Sequence, residues 1–302
     1  MEFKRLACED KQRFKEVIKK HNYQNAESSF TNLFLWSKSY QIERAFGEHA
    51  MYISFVGFDG EKHYLAPFLY DFDKPVKPAL EELRNHIHSE DKTFCIKGVV
   101  KSLRDKIEAE IKPVFQFFDD RDNYEYIYLS EDLINLGGKK LHAKRNHINY
   151  FEKTFRYEYR EYDISLKDEC VAHIEDWVDQ KADDRSLRDE IDVLHTILDD
   201  YDKLDVKGAV VLVNGRVEAL TFGEALNKDT ALIHIEKANP SIRGLYPYIN
   251  REFVKREWAD YKYINREEDM GIEGLRKAKL SYNPVYLVEK YSCSVDGDCD
   301  GI

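Results

Sequence analysis

Apolar residues recur along the chain with the spacing of alternating helices and strands. Leu245, Ile249 and Phe253 lie four residues apart, so they share one face of a predicted helix. Short apolar runs typical of strands come in pairs, of which 208–213 and 217–222 are the clearest. The alternation predicts a mixed α/β (α+β) chain with central sheets flanked by helices.

Two predicted hairpins carry glycine at their turns. Asn214-Gly215 separates the apolar runs of the second half, and Asp59-Gly60 separates predicted strands at 51–56 and 64–69. Asn-Gly suits a type I′ turn, because both central residues of that turn need positive φ. We therefore expect antiparallel pairing in both places.

The two halves of the chain repeat one order of elements: a hairpin, a helix, a short strand and another helix. This order predicts two tandem domains of one fold, and two unrelated α/β domains are the alternative. The paired glycines Gly137 and Gly138 interrupt the pattern between the halves. We therefore predict a first domain at 1–136, a second at 137–292 and a flexible acidic tail at 293–302.

Length and charge narrow the class of protein. The 302 residues suit two ordinary domains, and the net charge of −11 argues against a surface that is basic everywhere. The charged N-terminus and the absence of a long apolar run predict no signal peptide and no stable membrane insertion. Five cysteines at irregular spacing favour a reducing compartment. We therefore expect a cytoplasmic protein, and the sequence leaves its oligomeric state unknown.

The tail Asp296-Gly297-Asp298 resembles the opening of a calcium loop. A complete loop needs further ligands after its central glycine, including a late carboxylate. We therefore predict no metal site.

The element order of the second half resembles the GNAT acyltransferase fold, in which a hairpin leads to a third strand that opens a binding cleft. Here that strand is predicted at 230–236. The helix that follows is entered through Arg243-Gly244, where the fold's pyrophosphate loop would lie. We assign Arg243 and Gly244 to cofactor binding, and an ordinary strand-to-helix connection is the alternative.

The third strand carries two polar side chains on one face. Alternation places His234 and Glu236 together, with Ile233 and Ile235 on the other face. Glu236 is a candidate base that takes the proton of an amine. His234 is interpreted as a hydrogen-bonded structural residue.

The densest group of charges runs from Asn265 to Lys279, from the end of a strand into a helix. Ligand sites of α/β proteins often lie beyond the carboxyl end of a strand. Arg276 and Lys279 lie on one helical face and are candidates to hold a phosphate or a carboxylate. A solvated helix with internal ion pairs is the alternative.

The same segment resembles the C-terminal domain of phosphatidylglycerol lysyltransferases and the uncharacterised soluble proteins grouped with it. Residues 32–36 and 144–151 resemble those soluble proteins as well. The matching positions of the segment are Asn265, Glu268, Asp269, Gly271, Gly274, Leu275, Arg276, Lys279 and Pro284.

The resemblance implies a tandem GNAT-like fold, shared with Fem-type transferases that take an aminoacyl group from charged tRNA. It implies a site in the second domain. We therefore predict an acyl- or aminoacyltransferase that modifies an amine of a small molecule or peptide. Its donor would be acyl-CoA or aminoacyl-tRNA, and the sequence identifies no cofactor with certainty. The alternative is a non-catalytic sensor that keeps the fold.

The predicted roles divide into catalysis and binding. Tyr282 is a candidate proton donor to the leaving group, beside the candidate base Glu236. The basic stretch Lys139, Lys140, Lys144 and Arg145 is the candidate contact for tRNA, and a helix whose basic side faces water is its alternative. The residues assigned to substrate binding are Lys144, Arg145, Asn265, Glu268, Asp269, Arg276 and Lys279.

Overall fold

A computed structural model of the chain describes residues 1–111, 115–178 and 185–295. The chain forms two compact units. The first comprises Met1–Tyr124 together with the segment from Val288 onward, and the second comprises Glu125–Leu287.

Helices and strands alternate through both units. The helices are α1 Lys11–Ile18, α2 Phe30–Trp36, α3 Lys77–Ser89, α4 Lys101–Glu110, α5 Ser130–Asn135, α6 His142–Thr154, α7 Lys167–Val178, α8 Arg185–Asp199, α9 Leu245–Glu257 and α10 Glu273–Leu280. The strands are β1 Lys4–Arg5, β2 Glu43–Phe46, β3 Ala50–Val56, β4 Lys62–Tyr64, β5 Phe68–Leu69, β6 Cys95–Val100, β7 Gln116–Asp119, β8 Glu125–Leu129, β9 Tyr157–Glu161, β10 Val206–Val213, β11 Arg216–Ala225, β12 Thr230–Ala238, β13 Tyr263–Asn265, β14 Tyr286–Val288 and β15 Lys290–Ser294.

A seven-stranded sheet of order β14-β8-β13-β12-β11-β10-β9 forms the centre of the second unit. β12 and β13 run parallel, whereas β10, β11 and β12 pair antiparallel in sequence. Asn214 and Gly215, which connect β10 to β11, have φ of 53° and 86°. The predicted hairpin and its requirement for positive φ at both turn residues are confirmed.

One face of α9 fills the core of this sheet. Leu245, Ile249 and Phe253 are buried together with Trp258, and they pack with residues of β10, β11 and α6 such as Phe151. The four-residue spacing read from the sequence therefore marks the buried face.

The first unit contains two smaller sheets. The larger sheet has five strands in the order β1-β2-β3-β4, with β5 paired to β3. The smaller sheet has three strands in the order β6-β15-β7. Leu80, Leu83 and Ile87 of α3 are buried in its core. Gly60 has φ of 80° at the turn between β3 and β4, which confirms the second predicted hairpin.

The unit boundary differs from the predicted junction at 136/137 because residues 125–136 belong to the second unit. β8 pairs with β13, and α5 packs against α9. The glycine pair instead follows the end of α5, where Leu136 adopts a left-handed φ of 48°. A turn between two helices of one unit and a linker between domains give the same glycine signal.

The C-terminal segment also differs from its prediction. This segment contains β14, in the sheet of the second unit, and β15, in a sheet of the first. Cys293 and Ser294, placed in the predicted tail, are buried residues of β15, which pairs with β6. The remainder of that tail and its calcium-like segment, 296–302, lie outside the described residues.

Candidate functional site

The sheet of the second unit opens between β12 and β13. Pairing of β12 with β13 ends at Leu232 opposite Asn265, whereas pairing with β11 continues to Ala238 opposite Ala219. Residues 233–238 of β12 therefore extend beyond the carboxyl end of their parallel neighbour. The sequence predicted a cleft at the third strand, and the opening lies along that strand.

The carboxylate of Glu236 lies in this opening and accepts hydrogen bonds at both oxygens. Arg266 Nη2 donates to Oε1 at 2.8 Å, and Asn250 Nδ2 donates to Oε2 at 2.8 Å. The side chains of Glu236 and Arg266 are only 11% and 13% exposed. Low exposure strengthens the attraction of the ion pair and raises the cost of leaving either charge alone.

The ring of Tyr282 lies against two cations. Lys144 Nζ is 4.1 Å from the ring centroid, and Arg266 Cζ is 4.9 Å from it. Burial raises the pKa of the Tyr282 hydroxyl, so that the group keeps its proton. Burial, together with the charge of Arg266, lowers the pKa of Lys144.

We call Lys144, Glu236, Asn250, Arg266 and Tyr282 the Glu236 cluster. Three of its members were assigned from the sequence, and the structure brings those three together. Arg266 was missed as a site residue, although it directly follows the last residue of β13, a position typical of ligand contacts. Asn250 was missed because its only sequence signal is a polar side chain among the apolar residues of α9.

Asp269 and Arg276 of the predicted binding segment pair with each other. Arg276 donates through Nε and Nη2 to the two carboxylate oxygens at 2.9 and 2.7 Å. Tyr126 and the amide of Gly271 donate to the same carboxylate. Burial alone would raise the pKa of Asp269, but these hydrogen bonds lower it to about 2. The pair therefore holds the loop that follows β13.

Lys279 and Asn265 fix the same loop from inside. Lys279 Nζ donates to the main-chain carbonyls of Arg266 and Glu268, and burial lowers its pKa to about 8. The Asn265 amide donates to Glu125, and its oxygen accepts from the loop. We call residues 265–271 the anchored loop. The Asp269–Arg276 pair is an internal ion pair of the kind considered as the alternative for this segment.

The predicted pyrophosphate loop is occupied by α6. Gly244 has φ of 91°, and a Cβ on it would lie 2.1 Å from the carbonyl oxygen of His147. Arg243 Nε lies 3.2 Å from His147 Nδ1, and its guanidinium stacks on Tyr150 at 4.8 Å. Pro247 also removes an amide from the first turn of α9. Gly244 thus permits close packing of two helices.

Arg145 does not join the Glu236 cluster. Its Nη1 donates to the carbonyl of Gly138 at 3.0 Å and also to that of Leu136. These are carbonyls at the end of α5 and in the turn after it, so Arg145 caps a helix terminus. The neighbouring Lys139 and Lys140 are exposed on the same turn.

His234 is enclosed by two carboxylates. Its ring nitrogens lie 3.1 Å from Glu224 Oε1 and 3.3 Å from Glu267 Oε1. Burial alone would lower its pKa, but the two carboxylates raise it to about 9. The side chain is hydrogen-bonded at both nitrogens, as the interpretation of a structural residue expected.

Two features are absent from the described ranges, 1–111, 115–178 and 185–295. Within them, no three His, Cys, Asp or Glu side chains are placed to hold a metal ion. Within the same ranges, no helix combines the length and the apolar character needed to cross a bilayer.

The chain is similar to proteins of known structure. Residues 19–294 match the family described as "Phosphatidylglycerol lysyltransferase, C-terminal". A conserved protein of unknown function from Bacteroides thetaiotaomicron VPI-5482 is 37% identical; the match covers 97% of this chain and 99% of that one, with a TM-score of 0.89. L-PGS from Bacillus licheniformis is 12% identical, over 95% and 92% of the two chains, with a TM-score of 0.65.

Two further solved structures are similar to this chain in fold. FemX is 11% identical over 97% of each chain, with a TM-score of 0.58. A tandem GNAT protein from the clavulanic acid biosynthesis pathway is 11% identical over 99% of each chain, with a TM-score of 0.51. The α+β fold predicted from the sequence, that of tandem GNAT and Fem-type transferases, is confirmed. The match over residues 19–294 shows that the chain belongs to the phosphatidylglycerol lysyltransferase C-terminal domain family.

Proposed function

We propose that the protein transfers an acyl or aminoacyl group to an amine at the opening between β12 and β13. The observation that carries the proposal is the Glu236 carboxylate, which is only 11% exposed and lies in this opening beside a protonated tyrosine and two cations. A carboxylate that accepts one hydrogen bond at each oxygen still has free lone pairs. The site therefore combines a proton acceptor, a hydrogen-bond donor and positive charge.

The chemistry follows from these groups. The acceptor nitrogen attacks the carbonyl carbon of the donor, and Glu236 takes the proton that the nitrogen loses. The Tyr282 hydroxyl donates a hydrogen bond to the oxygen that becomes negative. The C–N bond forms as the C–O or C–S bond to the leaving group breaks. The proton held by Glu236 then passes to the departing oxygen or sulfur.

The geometry of α9 favours an aminoacyl ester over acyl-CoA as the donor. A pyrophosphate would need free amides at the helix N-terminus. The Leu245 amide instead bonds to the Ile242 carbonyl, and the His147 carbonyl packs against Gly244. The family description, which names a lysyltransferase, also supports an aminoacyl donor. Aminoacyl-tRNA is therefore the proposed donor, with a small-molecule or peptide amine as acceptor in the cytoplasm.

The test is a transfer assay on the whole chain. Radiolabelled lysyl-tRNA, or acetyl-CoA as the competing donor, is incubated with the protein and a set of amines, and acid-stable amide product is measured. Glu236→Gln should lower the rate by about 10²-fold or more, because general base catalysis contributes about that much. The amide keeps the size of the side chain.

Glu218→Gln is the matched control, because Glu218 is a half-buried glutamate of the same sheet that also accepts from an asparagine amide at 2.8 Å. It should leave the rate unchanged. Equal rates for wild type and Glu236→Gln would remove Glu236 as the base. Donor binding without product from any amine would favour the sensor, the alternative raised by the closed pyrophosphate loop.

A further inference from the structure

We infer that Lys144 and Arg266, which both contact the ring of Tyr282, form a subsite for one anionic group, a phosphate or a carboxylate. The inference deepens the proposed function, since it assigns a charge to the substrate of the same site. The two cations come from separate elements, Lys144 from α6 and Arg266 from the residue after β13. The fold thus brings together charges that repel each other.

The charges of the cluster do not balance. Lys144 and Arg266 carry two positive charges, and Glu236 is the carboxylate that acts on both of them. Tyr282 and Asn250 are uncharged. One positive charge is therefore in excess at a site where burial makes an uncompensated charge costly. A bound monoanion would restore neutrality.

Hydrogen-bond donors are also left over. Arg266 Nη1 is buried and has no acceptor among the described residues. Lys144 Nζ contacts the Tyr282 ring, and within the described part of the chain no oxygen accepts a hydrogen bond from it. A buried donor such as Arg266 Nη1 is almost always paired in folded proteins, and the half-buried Lys144 supplies a second donor at the same ring. Phosphate and carboxylate oxygens are the acceptors that match a guanidinium and an ammonium together.

A neighbouring acceptor, Asn250 Oδ1, restricts which ligand groups fit the subsite. Among the described residues, no donor reaches the buried Asn250 Oδ1, while Asn250 Nδ2 donates to Glu236. A ligand that presents an anionic oxygen to Arg266 and an N–H or O–H to Asn250 would satisfy both. Such a neighbouring pair of groups is found in an amino acid and in a monoprotonated phosphate.

Other basic residues of the chain differ from Lys144 and Arg266, which supports the assignment of the subsite to these two. Arg276 is paired with Asp269, Arg145 caps carbonyls, and Lys279 donates to two carbonyls of the anchored loop. Those cations already have acceptors that satisfy them. Among the described residues, Lys144 Nζ and Arg266 Nη1 have no such acceptor, and both side chains contact the Tyr282 ring.

The test is isothermal titration calorimetry of the whole protein with inorganic phosphate and, separately, with acetate at low ionic strength. Wild type should bind one equivalent of at least one of the two anions. Lys144→Met should weaken that binding about tenfold, the effect of losing one charge-assisted hydrogen bond. Lys153→Met is the matched control, because Lys153 is an exposed lysine of the same helix, and its affinity should equal that of wild type.

The two anions identify the source of the ligand group. Tighter phosphate binding indicates a phosphate of the donor or acceptor, and tighter acetate binding indicates a carboxylate. Wild type that binds neither anion, or equal losses in Lys144→Met and Lys153→Met, would overturn the inference. Because no donor or amine is present, a failed transfer assay leaves this result unaffected, and a failed titration leaves the transfer assay unaffected.

Discussion

The Glu236 cluster and the anchored loop share Arg266, but their charges are used in opposite ways. In the anchored loop, Asp269 pairs with Arg276, and Lys279 donates to two carbonyls. In the cluster, two cations meet one carboxylate, and two buried polar atoms have no partner among the described residues. Satisfied charges stabilise a loop, whereas unsatisfied charges are what a ligand can bind.

The largest expected effect that tests this contrast comes from Arg276→Met. The change leaves the Asp269 carboxylate, which is fully buried, without its cation. Removing one partner of a buried ion pair costs about 3–5 kcal/mol, so the free energy of unfolding measured with urea should fall by about 3 kcal/mol. Lys277→Met, on the exposed side of the same helix, should change it by less than about 0.5 kcal/mol.

Anion binding by Arg276→Met, titrated with phosphate or acetate, is the second measurement of this prediction. Folded Arg276→Met should bind the anion as wild type does, because the ion pair of Arg276 is with Asp269 in the anchored loop. A variant that keeps its stability but loses anion binding would reverse the assignment. It would return Arg276 to the substrate-binding role predicted from the sequence.

A second effect concerns pH and Lys279. The pKa of Lys279 is about 8 in the folded protein against an ordinary value of 10.5, so the unfolded chain binds more protons between these two pH values. The contribution of Lys279 to the free energy of unfolding should therefore rise from pH 8 to 10.5, by up to about 3 kcal/mol.

The measurement is the difference in unfolding free energy between wild type and Lys279→Met at pH 7.5 and at pH 10. Subtraction removes the titration of the other lysines. The difference should grow in favour of wild type at the higher pH. A difference that stays constant would show that the Lys279 amine is not desolvated in the loop.

Local patterns in the sequence predicted the parts of the fold that depend on neighbours in the chain. The spacing of Leu245, Ile249 and Phe253 marked the buried face of α9, and Asn214-Gly215 marked a turn with two positive φ values. The unit boundary was misplaced because β8 joins its sheet through β13, which follows more than 130 residues later. No local pattern records such a pairing.

In the candidate site, the sequence pattern and the tertiary contacts draw attention to different charges. Asp269, Arg276 and Lys279 stand out in the sequence as a group of charges, and the structure pairs them internally. Arg266 stands in the same run of letters, yet its contact with Glu236 spans 30 residues. Sequence shows which charges are close along the chain; whether a charge is already paired depends on tertiary contacts.

The smallest expected change in the free energy of unfolding comes from Lys144→Met, and it is an increase. Methionine keeps the apolar contact with the Tyr282 ring and removes the excess positive charge that Arg266 repels. The free energy of unfolding, measured in buffer without phosphate or carboxylate anions, should rise by about 1 kcal/mol, as is common when a functional charge is replaced. Saturating phosphate or acetate, whichever wild type binds, should abolish the difference, because the anion compensates Lys144 in wild type only. A loss of stability like that of Arg276→Met would mean that Lys144 is a structural cation, and the contrast between the two regions would fail.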